Sequence, residues 1–173
     1  MSRVVTWLQY RELEMFRWVN SWQHNLLRWL LTRITHLGGA TITLLFTLGM
    51  SVFAPEPWNT VGMQAFLALT LSHLPVALIK KKYPRLRPYL VLPHTNICKN
   101  PLTDHSFPSG HTTAIFAVVV PFVLASPSLA LVLLPLACIV SLSRMYLGLH
   151  YPSDCIVGGL LGIASAFLTW SLF

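Results

Sequence analysis

Apolar residues in this chain gather into membrane-length blocks instead of the narrow stripes of a water-soluble helix. Five blocks stand out: Leu37–Ala54, Trp58–Ile79, Pro108–Ala125, Leu129–Tyr146 and Asp154–Trp170. Each has roughly 17 to 22 residues, near the 20 that cross a hydrocarbon core. Short turn-like joints at Pro55-Glu56-Pro57 and Ser126-Pro127-Ser128 separate neighbours, whereas one long, polar, proline-bearing connection runs from Lys80 to Phe107. Long connections of that kind tend to carry function.

Residues 1–35 read differently. Met15, Phe16, Val19, Trp22, Leu26 and Leu30 recur at three- and four-residue steps, with Arg17, Asn20 and His24 off that face. Trp7, Trp18, Trp22 and Trp29 suit the headgroup zone, so the pattern predicts an amphipathic helix lying in the interface. Glu12 and Glu14 interrupt any apolar region there and no small-residue cleavage site follows, which argues against a signal peptide. The predicted architecture is all-α: residues 1–35 an interfacial helix, and residues 36–173 a membrane-embedded polytopic bundle of about five spans. The bilayer is therefore the expected surrounding.

Composition narrows the chemistry. The chain is 54% hydrophobic and 10% charged, with only five acidic residues: Glu12, Glu14, Glu56, Asp104 and Asp154. Two-metal phosphatases and magnesium-dependent transferases need several carboxylates, so no metal or other cofactor is expected. Cys98, Cys138 and Cys155 are widely spaced and read as small apolar filler, not as a zinc cluster. The net charge of +7 is interleaved with apolar spans, which points to anionic lipid and away from nucleic acid.

Three segments carry candidate chemistry: Lys80 to Pro88, Phe107 to His111, and Ser143 to Asp154. If the spans alternate, all three reach one membrane surface. His150 and Asp154, four residues apart, can face one way at a helix start, where the carboxylate fixes the imidazole tautomer. Lys80, Arg87 and Arg144 supply positive charge for a phosphoryl group, and guanidinium forks match its oxygens. Arg144 stands in an otherwise apolar span, where a bare cation costs a few kcal/mol, about 2.5–3.5 on insertion scales. Lys81, Lys82 and Arg85 read instead as a juxtamembrane anchor on anionic lipid.

Pro108-Ser109-Gly110-His111 marks a helix start whose backbone N–H groups can cradle an anion. Ser109 adds a hydroxyl, and Gly110 admits close backbone approach. The tetrapeptide alone reads equally well as an ordinary helix cap. In the catalytic reading, neutral His150 is the nucleophile, oriented by Asp154, and forms a phosphohistidine. Protonated His111 donates to the leaving oxygen and later activates water. His24, His36, His73, His94 and His105 default to structural roles.

Lys80-x6-Arg87-Pro88, Pro108-Ser109-Gly110-His111 and Ser143-Arg144-x5-His150-x3-Asp154 together resemble the three-part signature of the type-2 phosphatidic acid phosphatase superfamily. Every signature position is filled. The resemblance implies a metal-independent lipid phosphatase with a helical core, with His150 as nucleophile, Asp154 its orienter and His111 the general acid. The other signature residues, Lys80, Arg87, Ser109, Gly110 and Arg144, would hold phosphate. Bacterial members often have six spans, so here the first is missing or replaced by the amphipathic helix. The implied substrate is a membrane lipid phosphate: phosphatidylglycerophosphate, phosphatidic acid or undecaprenyl pyrophosphate. A non-catalytic lipid-phosphate carrier using the same anion site is the alternative, and vanadate haloperoxidase chemistry is a remote third.

All twelve Lys and Arg residues fall on or beside the catalytic face or the N-terminal helix. Arg3, Arg11, Arg17, Arg28, Arg33, Lys81, Lys82 and Lys99 count toward this apart from the catalytic cations. The positive-inside rule thus favours an integral protein of the bacterial cytoplasmic membrane with its site toward the cytoplasm, although many bacterial relatives are thought to work on the outer face.

Overall fold

The computed structural model describes residues 3–98 and 101–173. Lys99, one of the cations counted toward orientation, lies outside the described residues. The chain is helical throughout, with α1 (Arg3–Asn20), α2 (Asn25–Ile34), α3 (Ala40–Phe53), α4 (Trp58–Lys82), the short α5 (Pro88–Val91), α6 (Gly110–Ala125), α7 (Ala130–Tyr146) and α8 (Pro152–Trp170).

The five apolar blocks correspond to α3, α4, α6, α7 and α8. Of these, α4, α7 with its leading turn, and α8 are long and apolar enough to cross a membrane. A fourth candidate is α2 through Gly38 joined to α3, bent by 52°. At 16 residues, α6 is shorter. The predicted single helix over 1–35 is instead two, broken at Ser21–His24 and followed by a 3-10 turn at Thr35–Gly38.

The amphipathic face of α1 is divided between protein and surroundings. Phe16 and Val19 are buried and pack with Leu31, Tyr146, Leu149 and Tyr151, whereas Trp7, Trp18 and Trp29 are exposed. The docked half anchors α1 at the end of the bundle where α7 ends and α8 begins.

Close approach sets the bundle's centre. Gly158 and Gly162, one turn apart on α8, bring it against α6, the small-residue spacing that lets membrane helices meet. A Cβ on Gly158 would lie 2.6 Å from the Ser109 carbonyl, and one on Gly162 would run into the Thr113 carbonyl. That contact aligns the starts of both helices, and the Ser109 N–H donates to the Asp154 carbonyl at 2.9 Å.

The long connection is fastened down by the N-terminal helices. Asn20 Nδ2 donates to the Asn96 and Tyr146 carbonyls, both at 2.9 Å, and Asn20 Oδ1 accepts from the Asn96 N–H. Arg28 donates to the Ile97 carbonyl. Gly148, at φ +74°, turns the chain beneath this loop, and a Cβ there would lie 2.5 Å from the Asn96 carbonyl.

Candidate active site

The ends of α4 and α7 and the starts of α6 and α8 meet at one end of the bundle, so the three signature segments converge as alternation of the spans predicts. Arg87 is buried in the connection after α4. Its Nη1 donates to the Leu149 carbonyl at 2.9 Å and lies 3.0 Å from His150 Nε2. Its other edge grips Asp104, with Nε on the backbone carbonyl at 2.7 Å and Nη2 on the carboxylate at 2.6 Å. Lys80, in the last turn of α4, joins the same carboxylate and also donates to the His105 carbonyl at 2.9 Å. Burial works to raise the Asp104 pKa, but Lys80 and Arg87 override it and hold the carboxyl at about 2.

His150 and Asp154 do not share a helix face. His150 precedes α8, Tyr151 is its N-cap, Pro152 opens the first turn, and Asp154 closes a capping box by accepting the Tyr151 N–H at 2.8 Å. The four-residue spacing is therefore spanned by a cap. It leaves Asp154 Oδ2 at 3.5 Å from His150 Nδ1 with no hydrogen bond formed between them. Among the described residues that nitrogen has no other partner, and such contacts tighten in the Michaelis complex. His150 is buried, and its pKa falls well below the ordinary histidine value because of that burial and then because of Arg144, Arg87 and Lys80. That environment favours the neutral ring, and Nε2, within reach of Arg87 Nη1, is the nitrogen opposite the one facing Asp154.

Arg144 is 2% exposed. Its Nη1 donates to Thr35 Oγ1 at 2.8 Å, while Nε and Nη2 have no acceptor among the described residues. Unpaired buried guanidinium donors are strongly disfavoured unless an anion completes them. Arg144 and His111 face a cavity of about 180 Å³, with Thr35, His36, Leu147 and Leu149 also on its wall. An anion held there would meet both.

Ser109 is the N-cap of α6. Its Oγ accepts from the Thr112 backbone N–H at 3.5 Å and its hydroxyl at 3.1 Å, so the side chain serves the helix start. A Cβ on Gly110 would meet no protein atom within 4 Å, so packing within the fold does not demand glycine there.

Arg85 corrects the lipid-anchor expectation. Its Nη1 donates to Asp154 Oδ1 at 2.9 Å and its Nη2 to Glu12 Oε2 at 2.7 Å. A bidentate-capable fork beside a buried carboxylate is held by that charge in preference to solvent or headgroups. His36 and Thr35 also reach the cavity, though nothing in a lone threonine or histidine announced it. One signal was available in the composition: three of the five acids, Glu12, Asp104 and Asp154, serve this network, while Glu14 pairs with Arg11 and Glu56 accepts from Thr60.

The model of the PAP2 superfamily matches residues 61–173, which hold all of these signature positions. The chain belongs to this superfamily. Among curated relatives, the undecaprenyl-diphosphatase of Sulfolobus acidocaldarius is 28% identical over 158 residues, covering 91% of this chain and 76% of that protein. The chain spans only about half the length of several other curated relatives. The crystal structure of Aquifex aeolicus LpxE superposes with a TM-score of 0.82 at 26% identity, over 92% of this chain and 94% of LpxE. The Bacillus subtilis PAP2-type phosphatidylglycerolphosphate phosphatase shares the fold, with a TM-score of 0.76 at 24% identity over 99% and 87% of the two chains.

Proposed function

We propose that this chain is a metal-independent lipid phosphatase that hydrolyses a phosphomonoester or pyrophosphate headgroup, releasing the terminal phosphate through a phosphohistidine at His150. The observation that carries the reading is the placement of Arg87 Nη1 at 3.0 Å from His150 Nε2, the nitrogen opposite the one facing Asp154. A phosphoryl group drawn to that guanidinium is brought up to the imidazole lone pair.

In the first step Nε2 bonds to the terminal phosphorus as its bond to the oxygen of the lipid alcohol, or of the lipid's remaining phosphate in a pyrophosphate, breaks, and His111 gives its proton to the departing oxygen. Negative charge on the phosphate favours the protonated form of His111 once substrate is bound. Arg144, Arg87 and Lys80 carry the charge that develops on the equatorial oxygens. In the second step water attacks the phosphohistidine, His111 takes its proton, and inorganic phosphate leaves with His150 restored.

The substrate reading is a lipid phosphate in the bilayer, with phosphatidylglycerophosphate, phosphatidic acid and undecaprenyl pyrophosphate as the set to test. Phosphate release would be measured from each lipid in chelator, beside His150→Ala. Release that survives chelation and vanishes in the variant supports the mechanism; a metal requirement overturns it. No release from any lipid by wild-type protein favours the carrier alternative.

For orientation, we place the catalytic end toward the cytoplasm of the bacterial cytoplasmic membrane. Arg3, Arg11, Arg17, Arg28, Arg33, Lys81 and Lys82 support this. The C-terminus, at the far end of α8, is then outside. A reporter fused there that reads cytoplasmic refutes the assignment.

A further inference from the structure

Asp154 has two oxygens with different partners. Oδ2 faces His150 Nδ1 and accepts the Tyr151 N–H, while Oδ1 receives Arg85 Nη1 at 2.9 Å. The same Nη1 donates to Ser153 Oγ at 2.8 Å, and the guanidinium carbon stands 3.9 Å from the centre of the Tyr151 ring. Arg85 is thus fixed by charge on one side and by an aromatic face on the other.

The far edge of this guanidinium is held by Glu12 of α1. Glu12 Oε2 accepts from Nη2 at 2.7 Å, and Oε1 accepts from the Ser153 N–H at 3.1 Å and from the Ser153 hydroxyl. Glu12 therefore ties α1 to the first turn of α8 and to the arginine that faces the candidate orienting carboxylate. Asp154 is fully buried and Arg85 partly so, which keeps solvent from replacing the contact.

We propose that Arg85 and Glu12 are positioning residues for the His150–Asp154 pair, so that docking of α1 is a condition of catalysis. The proposal rests on the reading of His150 as nucleophile. Neither residue is given a phosphate contact in this reading: the polar partners of their side chains are each other, Ser153 and Asp154. Arg85 on Oδ1 keeps Asp154 turned so that Oδ2 faces Nδ1, and Glu12 keeps Arg85 on the carboxylate and away from the phosphate cations. Loss of such an outer partner in metal sites lowers activity about 10- to 100-fold, and the same leverage is expected here.

The test compares Arg85→Ala, Arg85→Lys and Glu12→Gln with wild type in detergent, measuring kcat and KM for lipid phosphate together with inhibition by orthovanadate. Arg85→Ala should lower kcat about 100-fold with KM and vanadate inhibition within about threefold, as expected for a group acting on the transition state through another residue. Arg85→Lys should recover at least about tenfold of the loss, and Glu12→Gln should lower kcat about three- to tenfold. A rise in KM at unchanged kcat makes Arg85 a substrate contact and overturns the proposal. Unchanged kinetics leave the Arg85 contacts a purely structural tie and do the same.

Thermal unfolding of Glu12→Gln, Arg85→Lys and the double variant gives a second, activity-independent arm. Non-additive shifts are expected for a coupled pair, and additive ones overturn the link between α1 and the site. Wild-type protein that binds vanadate but releases no phosphate defeats the functional reading alone, because the unfolding cycle still decides the link.

Discussion

Arg144 Nη1 donates to Thr35 Oγ1 at 2.8 Å, joining the end of α7 to the turn after α2 across 109 residues of sequence. The bond fixes which edge of the guanidinium faces the cavity, since Nε and Nη2 are left without a protein acceptor among the described residues. Thr35→Val keeps the volume and removes that acceptor. A hydrogen bond to a charged group contributes roughly 1.5–3 kcal/mol, so kcat/KM should fall about ten- to 100-fold. Thr35→Ser should stay near wild type. Steady-state kinetics of the two variants provide the check, and equal losses would show that the hydroxyl is not what matters.

The depressed pKa of His150 sets the acidic limb of the pH profile. Burial and then Arg144, Arg87 and Lys80 disfavour the charged imidazole, so the neutral nucleophile persists as pH falls through the ordinary histidine value of about 6.5. The acidic limb of kcat/KM, which reports the free enzyme, should therefore lie below pH 6.5 for a substrate whose own ionisation is accounted for. A nucleophile titrating above that value would contradict the environment described here.

Asp104 ties Lys80 to Arg87 and should make folding stability acid-sensitive. Its folded pKa of about 2 is below the ordinary aspartate value, so the ionised, paired form stabilises the protein above the unfolded pKa near 3.9. That contribution falls away as pH drops from about 4 toward 2. Melting temperatures of wild type and Asp104→Asn should differ at pH 5 and converge as pH approaches 2. A gap independent of pH would mean the asparagine is destabilising for reasons other than charge.

Gly148→Ala probes the turn beneath the long connection. The residue has φ +74°, and a Cβ would press on the Asn96 carbonyl at 2.5 Å. Strain of this kind costs about 1–3 kcal/mol, so the melting temperature should fall. The accompanying loss of activity should exceed that of Gly49→Ala, where a Cβ meets nothing within 4 Å. Equal behaviour of the two alanine variants would show that the loop yields without consequence.

Much of this protein is legible in its residue order. The apolar blocks mark where α3, α4, α6, α7 and α8 form, because a helix in lipid satisfies its own backbone, although α3 and α6 are shorter than a full span by themselves. The signature spacings single out His111, Arg144, His150 and Asp154, because chemistry constrains residue type and local separation together. What spacing does not carry is which distant groups complete a charge. The sequence alone leaves Arg85 indistinguishable from Lys81 and Lys82 as a membrane anchor, and it leaves Thr35 and Glu12 as ordinary helix residues.

Only the tertiary structure decided those three. The close contact of α6 with α8 through Gly158 and Gly162, and the docking of Phe16 and Val19, bring residues more than 60 positions apart within hydrogen-bonding distance. It likewise replaced the expected helix-face geometry of His150 and Asp154 with a capping box, in which Pro152 and the Tyr151 N–H set the turn. Periodicity reports local backbone form, whereas the partners of a buried charge are chosen by three-dimensional packing, where an unpaired ion is too costly to leave alone.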